Sequence, residues 1–271
     1  MELSIRTFAG MGDILHSKQL LDQVKDNYDV INVYFDINYL RDYKGNYNQF
    51  SEFNIKLLEE LFSESPYVVQ DTPHSISLPP IDLCSHIGSQ FKILNFEKYF
   101  CKQSTDNTKK ENYIVILTKI RGLDYSIYNS FRERFLNSIN ILSQKNKIYI
   151  MGERKIGMNK ENEIHGSSQI YSIYDDLIQN IQNIEDLTVE ELGITASKYE
   201  DFLNDCQIMN RSKSVICFGF SGAVDMAMSV SNIVNYYGDF EMYNLTPNED
   251  KKFLTSNLEE FFTKLESLTL L

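Results

Sequence analysis

The chain has 271 residues with 42% apolar side chains, enough to bury a core and too many for wholesale disorder. Its 38 acidic against 26 basic residues give a formal net charge of −12, which weighs against nucleic acid as a partner. It lacks the continuous apolar run of about 18 residues that a membrane-spanning helix needs, and the start, Met1 to Arg6, is unlike a secretory leader. Four cysteines, Cys84, Cys101, Cys206 and Cys217, show no Cys-x-x-Cys spacing, so a reduced, cytoplasmic protein without a zinc site is expected.

In chain order, Leu3–Phe8 reads as a strand and Ile14–Lys25 as a helix whose apolar stripe includes Ile14, Leu15, Leu20, Leu21 and Val24. Between them lies Gly10-Met11-Gly12-Asp13, a turn in which two glycines permit a sharp bend and a close ligand approach. Asp13 then falls in the first helical turn at a sheet edge, where it is either a helix cap or a catalytic base. His16 follows one turn later and either orients a substrate or lies on the surface. Val30–Phe35 is a second strand, Asn54–Phe62 a second helix and Tyr67–Val69 a short third strand. A polar stretch from Lys102 to Glu111 interrupts the pattern and reads as a linker or exposed loop.

The alternation then restarts with strand Tyr113–Leu117, helix Ile127–Leu142 and strand Lys147–Met151. Both strands run into charge: Lys119 and Arg121 after the first, Glu153 and Arg154 after the second. At the C-terminal edge of a parallel sheet, the cations suit phosphate and Glu153 suits ribose hydroxyls; the alternative is a solvated loop. His165 lies in a polar loop, as a surface residue or a site residue. Strand Ile170–Ile173 and helix Ser197–Asn210 lead to strand Ser214–Phe218, helix Ala223–Val230 and strand Ile233–Tyr236. Gly219-Phe220-Ser221-Gly222-Ala223 joins that strand to its helix, where Ser221, Gly222 and Ala223 offer free N–H groups to a diphosphate. The plain alternative makes Ser221 an N-cap and Gly222 a packing glycine. The Gly-x-Ser-x-Gly of a hydrolase elbow is absent. Asn248–Leu268 reads as an amphipathic C-terminal helix, and Asp175-Asp176, the tandem aspartates, as a helix start.

The expected architecture is α/β: an N-terminal Rossmann-like domain over residues 1–107 and a second over 108–271. Together the segments resemble the ADP-heptose:lipopolysaccharide heptosyltransferase family of GT-B glycosyltransferases. Gly10-Met11-Gly12-Asp13-Ile14-Leu15 matches that family's opening, Ile148–Glu153 its strand ending in Gly, and Val215–Gly238 its donor segment. Phe220 stands where the family has Asp, and Asp225 where it has His. The resemblance implies two Rossmann-like domains facing a cleft, with the acceptor on the first and a nucleotide-sugar on the second. It implies a last helix that crosses back to the first domain, and Asp13 as general base toward a carbohydrate or other hydroxyl acceptor. Lys119, Arg121 and residues 221–223 would neutralise the leaving diphosphate, with neither metal nor cofactor required. A sugar-nucleotide-binding protein with a degenerate site is the alternative. A nucleotide-dependent epimerase or oxidoreductase is a further one, although the third Gly of Gly-x-Gly-x-x-Gly is missing.

Overall fold

The structure, a computed structural model, describes residues 1–7, 11–35, 52–70, 81–82, 111–155, 170–191, 199–219, 221–231, 233–238 and 252–268. The chain divides into two compact units, Met1–Phe100 with Gly193–Asp205 and Glu241–Thr246, and Cys101–Leu192 with Cys206–Phe240 and Pro247–Leu271.

In the first unit, β1 (Glu2–Thr7) leads to α1 (Met11–Val24), followed by β2 (Val30–Phe35), α2 (Glu52–Phe62), β3 (Tyr67–Gln70) and β4 (Ile81–Asp82). The four strands are parallel in the order β3-β2-β1-β4. Ile5, Ile31 and Val33 of the sheet and Ile14 and Leu21 of α1 are almost fully buried, whereas Val24, expected in the same helical stripe, is exposed. Lys18 is buried too, which an ammonium tolerates only when paired. Its Nζ lies 2.5 Å from Asp22 Oδ1 and 4.8 Å from the centre of the Tyr67 ring. The Tyr67 hydroxyl donates to the same carboxylate at 2.7 Å. This contact ties α1 to the edge strand.

The second unit contains β5 (Tyr113–Leu117), β6 (Lys119–Arg121), α3 (Tyr125–Ser143), β7 (Lys147–Met151), β8 (Glu153–Lys155), β9 (Ile170–Ser172), α4 (Tyr174–Asn180), β10 (Ile184–Asp186) and β11 (Val189–Glu191). Then come α5 (Tyr199–Arg211), whose residues up to Asp205 belong to the first unit, and β12 (Ser214–Phe218), α6 (Gly222–Val230), β13 (Val234–Tyr237), β14 (Lys252–Thr255) and α7 (Leu258–Ser267). Six strands form one parallel sheet in the order β10-β7-β5-β12-β13-β14. Every residue of β5 and of β12 is buried, as expected of central strands covered on both faces.

An aromatic core closes on the end of β12. Phe218, fully buried, meets Phe135 edge-on at 5.0 Å and packs on Phe131 and Phe261 at 5.9 and 5.5 Å. The α/β class, the parallel sheets and most elements agree with the sequence reading. The C-terminal segment differs. Residues 252–255, expected within a helix, add an edge strand beside β13, and the helix begins only after its cap Asn257. Phe261, Phe262 and Leu265 of α7 join the core of this second unit. Strand 170–172 is also not in the sheet; it pairs antiparallel with β6. Among the described helices, none is long and apolar enough to cross a membrane.

Candidate functional site

Each sheet has a point where its strand order reverses. In the first, β1 lies between β2, which follows it in sequence, and β4. In the second, the order runs outward from β5 through β7 and β10 on one side and from β12 through β13 and β14 on the other. This is the doubly wound pattern, and ligands bind such sheets beyond the carboxyl ends of the two strands at the reversal. The chain leaves β1 toward Gly10-Met11-Gly12-Asp13 and leaves β5 and β12 toward Lys119, Arg121 and Ser221. The candidate motifs therefore sit at the reversal points of their own sheets.

In the first unit, Met11, Gly12 and Asp13 form the first turn of α1. An acid in a first turn is favoured by the helix dipole whatever its chemistry. Gly10 lies outside the described residues, as does His165 in the second unit. His16 lies one turn further along α1.

In the second unit, the loop after β5 is a short ribbon. β6 pairs antiparallel with β9, matching Lys119 to Ser172, Ile120 to Tyr171 and Arg121 to Ile170. Alternation puts Ile120, fully buried, on one face and Lys119 and Arg121 together on the other. Beyond the ribbon, Arg121 makes a parallel bridge to Gly219 at the end of β12. Gly219 has φ of +60°, and a Cβ built there would stand 2.0 Å from the Arg121 carbonyl oxygen. Only a glycine permits that approach. The bridge brings Arg121 beside the start of α6, two sequence stretches that are nearly a hundred residues apart in number.

At that start Ser221 is the N-cap, and its Oγ accepts from the Val224 N–H at 3.3 Å. The plain reading of Ser221 therefore holds. It leaves the amides of Gly222 and Ala223 at the head of a nine-residue helix, where such groups lack intrahelical acceptors. Asp225 follows in α6, and Phe220 lies outside the described residues.

Lys119 and Glu153 come together as partners of each other. Lys119 Nζ stands 2.7 Å from Glu153 Oε1, with side chains 24% and 8% exposed. The Glu153 carbonyl accepts from Thr118 Oγ1 at 2.9 Å and from Ser172 Oγ at 2.6 Å. Thr118 and Ser172 drew no attention in the sequence, because a hydroxyl that braces a neighbouring loop leaves no local pattern. Arg154 turns elsewhere. Its guanidinium donates to Thr188 Oγ1 at 2.9 Å and to Asp186 Oδ2 at 2.8 Å, at the far strand β10. Burial pushes the Asp186 carboxyl up, but hydrogen bonds from Thr188 and Tyr174 and the charge of Arg154 outweigh it and hold Asp186 below its ordinary range. Arg154, expected near a phosphate, is paired with Asp186 in this structure. Asp176 is likewise held, by the Tyr128 hydroxyl and by Arg132. Among the described residues, no three His, Cys, Asp or Glu side chains are grouped to hold a metal ion.

No family model matches the chain, and no curated protein matches it in sequence. Among solved structures it is similar to the crystal structure of the glycosyl transferase family 9 protein from Veillonella parvula, with a TM-score of 0.50 and 10% identity over 100% of this chain and 93% of that one. It is also similar to E. coli ADP-heptose LPS heptosyltransferase II, with a TM-score of 0.48 and 10% identity over 100% of this chain and 99% of that one. At this identity the first match establishes the fold.

Proposed function

We propose that the protein is a glycosyltransferase that moves a sugar from a nucleoside-diphosphate-sugar to an acceptor hydroxyl by a single inverting displacement. One observation carries the reading. At the reversal point of the second sheet, the Arg121–Gly219 bridge sets the strand that carries Lys119 and Arg121 beside the end of β12, the strand that leads to α6 and its free amides at Gly222 and Ala223, an arrangement that suits an anion. The fold shared with a solved glycosyl transferase family 9 protein agrees with it.

In this mechanism the Asp13 carboxylate takes the proton of the acceptor hydroxyl. The hydroxyl oxygen forms a bond to the anomeric carbon while the bond from that carbon to the diphosphate oxygen breaks. The electron pair leaves with the nucleoside diphosphate. Cations and amide N–H groups stabilise the charge that develops there, which is the service a divalent metal provides in other transferases. Glu153 would receive the ribose hydroxyls. The acceptor is a carbohydrate or another hydroxyl compound.

Two results test the reading. Arg121→Ala should raise the Kd for a nucleoside diphosphate by about 10- to 100-fold in calorimetry, because a guanidinium makes charge-assisted, bidentate contacts with phosphate. Lys119→Ala should cost less, since part of the ammonium's hydrogen bonding already goes to Glu153. Affinities equal to the parent's in both variants would place the phosphates elsewhere. Release of nucleoside diphosphate from a panel of nucleotide-sugars should also persist in EDTA. Loss of activity that Mg²⁺ or Mn²⁺ restores would overturn the metal-free mechanism. Binding across the whole panel without turnover would mean a sugar-nucleotide-binding protein instead.

A further inference from the structure

The two members of the Lys119–Glu153 pair are not held alike. Glu153 is clamped through its backbone: its carbonyl accepts from both Thr118 and Ser172, its strand pairs with β11, and its side chain is 8% exposed. Lys119 is 24% exposed and carries its charge on a flexible four-carbon stem. The pair stands at the reversal edge of the second sheet, where the fold would receive phosphates. A diphosphate that engages Lys119 there must approach an acid already bonded to it. Two anions drawn to one ammonium repel each other at this range, so they compete for it.

We infer that Glu153 is the resident counter-ion of the phosphate site: it holds Lys119 in the empty protein and yields it to the incoming diphosphate. The inference rests on the reading of Lys119 as a phosphate residue. The mobile partner is the lysine, which swings on its stem while the clamped carboxylate stays. When the sugar has left, Glu153 reclaims Lys119 and so loosens the hold on the product diphosphate. Glu153 is in this sense a positioning residue, which sets where Lys119 rests and how tightly product is kept.

The test is calorimetric titration with inorganic pyrophosphate, which has no ribose, so a ribose contact of Glu153 cannot enter. Wild type, Glu153→Gln, Lys119→Gln and the double variant form a cycle. Glu153→Gln should bind pyrophosphate about 5- to 20-fold more tightly than wild type, a change of the size that removing one competing ion pair at a partly exposed site produces. In the Lys119→Gln background the same change should gain less than about 3-fold, the remainder being simple charge repulsion that needs no lysine. A structure of the wild type with pyrophosphate should show Lys119 Nζ on a phosphate oxygen and out of reach of Glu153. Weaker or unchanged binding by Glu153→Gln, an equal gain in both backgrounds, or an intact Lys119–Glu153 pair beside bound pyrophosphate would each overturn the counter-ion role. Should Glu153→Gln fail to fold, the wild-type structure decides. Lys119→Gln with wild-type affinity would instead overturn the phosphate site itself.

Discussion

Asp13→Asn should lower the rate of sugar transfer by about two to four orders of magnitude, the range that removing a positioned general base produces. Binding of the nucleoside diphosphate should change by less than about 2-fold, a free-energy difference well under 1 kcal/mol. The substitution separates the two roles that the sequence allows. Asparagine has the same shape and caps a helix start about as well as aspartate. It also occupies the first turn of α1 without strain, losing only the modest interaction of its charge with the helix dipole. What it cannot do is take a proton from an alcohol. Single-turnover product formation, read beside calorimetric Kd and melting temperature, gives all three quantities on one sample. Wild-type turnover in a stable Asp13→Asn protein would reduce Asp13 to a structural residue and remove the proposed base.

Gly219→Ala should be the most damaging single-methyl change at the candidate site. The added carbon would stand 2.0 Å from a backbone oxygen and 2.9 Å from a backbone carbon of Arg121, at a residue with φ of +60°. Neither atom is a side-chain end that can swing away. Gly219 is itself held on its other side, since its N–H donates to the Tyr237 carbonyl at 3.1 Å and Phe218 before it is locked in the aromatic core. The chain must therefore open the Arg121–Gly219 bridge, at a cost of about 3 kcal/mol or more once the left-handed backbone is included. For a unit of this size that corresponds to a fall in melting temperature of roughly 6–12 °C. Nucleoside diphosphate affinity should drop with it, because the bridge is what sets Arg121 beside the head of α6. A variant that melts with the wild type and binds as well would show that the bridge carries neither stability nor the site.

The pieces legible in the sequence are those encoded over a few neighbouring residues. The apolar runs Tyr113–Leu117 and Ser214–Phe218 gave central strands, and Gly219 with Ser221 marked a strand-to-helix turn whose serine does cap the helix. Ile14 and Leu21 placed the buried face of α1. Where a local signal was ambiguous, reading failed: Phe253 and Leu254 fit a helical stripe, but beside β13 their backbone completes the sheet before Asn257 starts the helix.

Pairings between distant residues were decided by the fold. Lys119 and Glu153 are 34 positions apart, and so formed two separate candidates in the sequence and a single ion pair in the structure. Arg154 was drawn to Asp186 for the same reason, 32 positions on, because β10 lies beside β7 in the sheet. Composition, periodicity and turn chemistry act along the chain and determined the α/β class, most of the elements and the position of each motif at a strand end. Strand order acts across the chain. It alone decided that β5 and β12 are neighbours, and so that Arg121 bridges Gly219 at the end of β12.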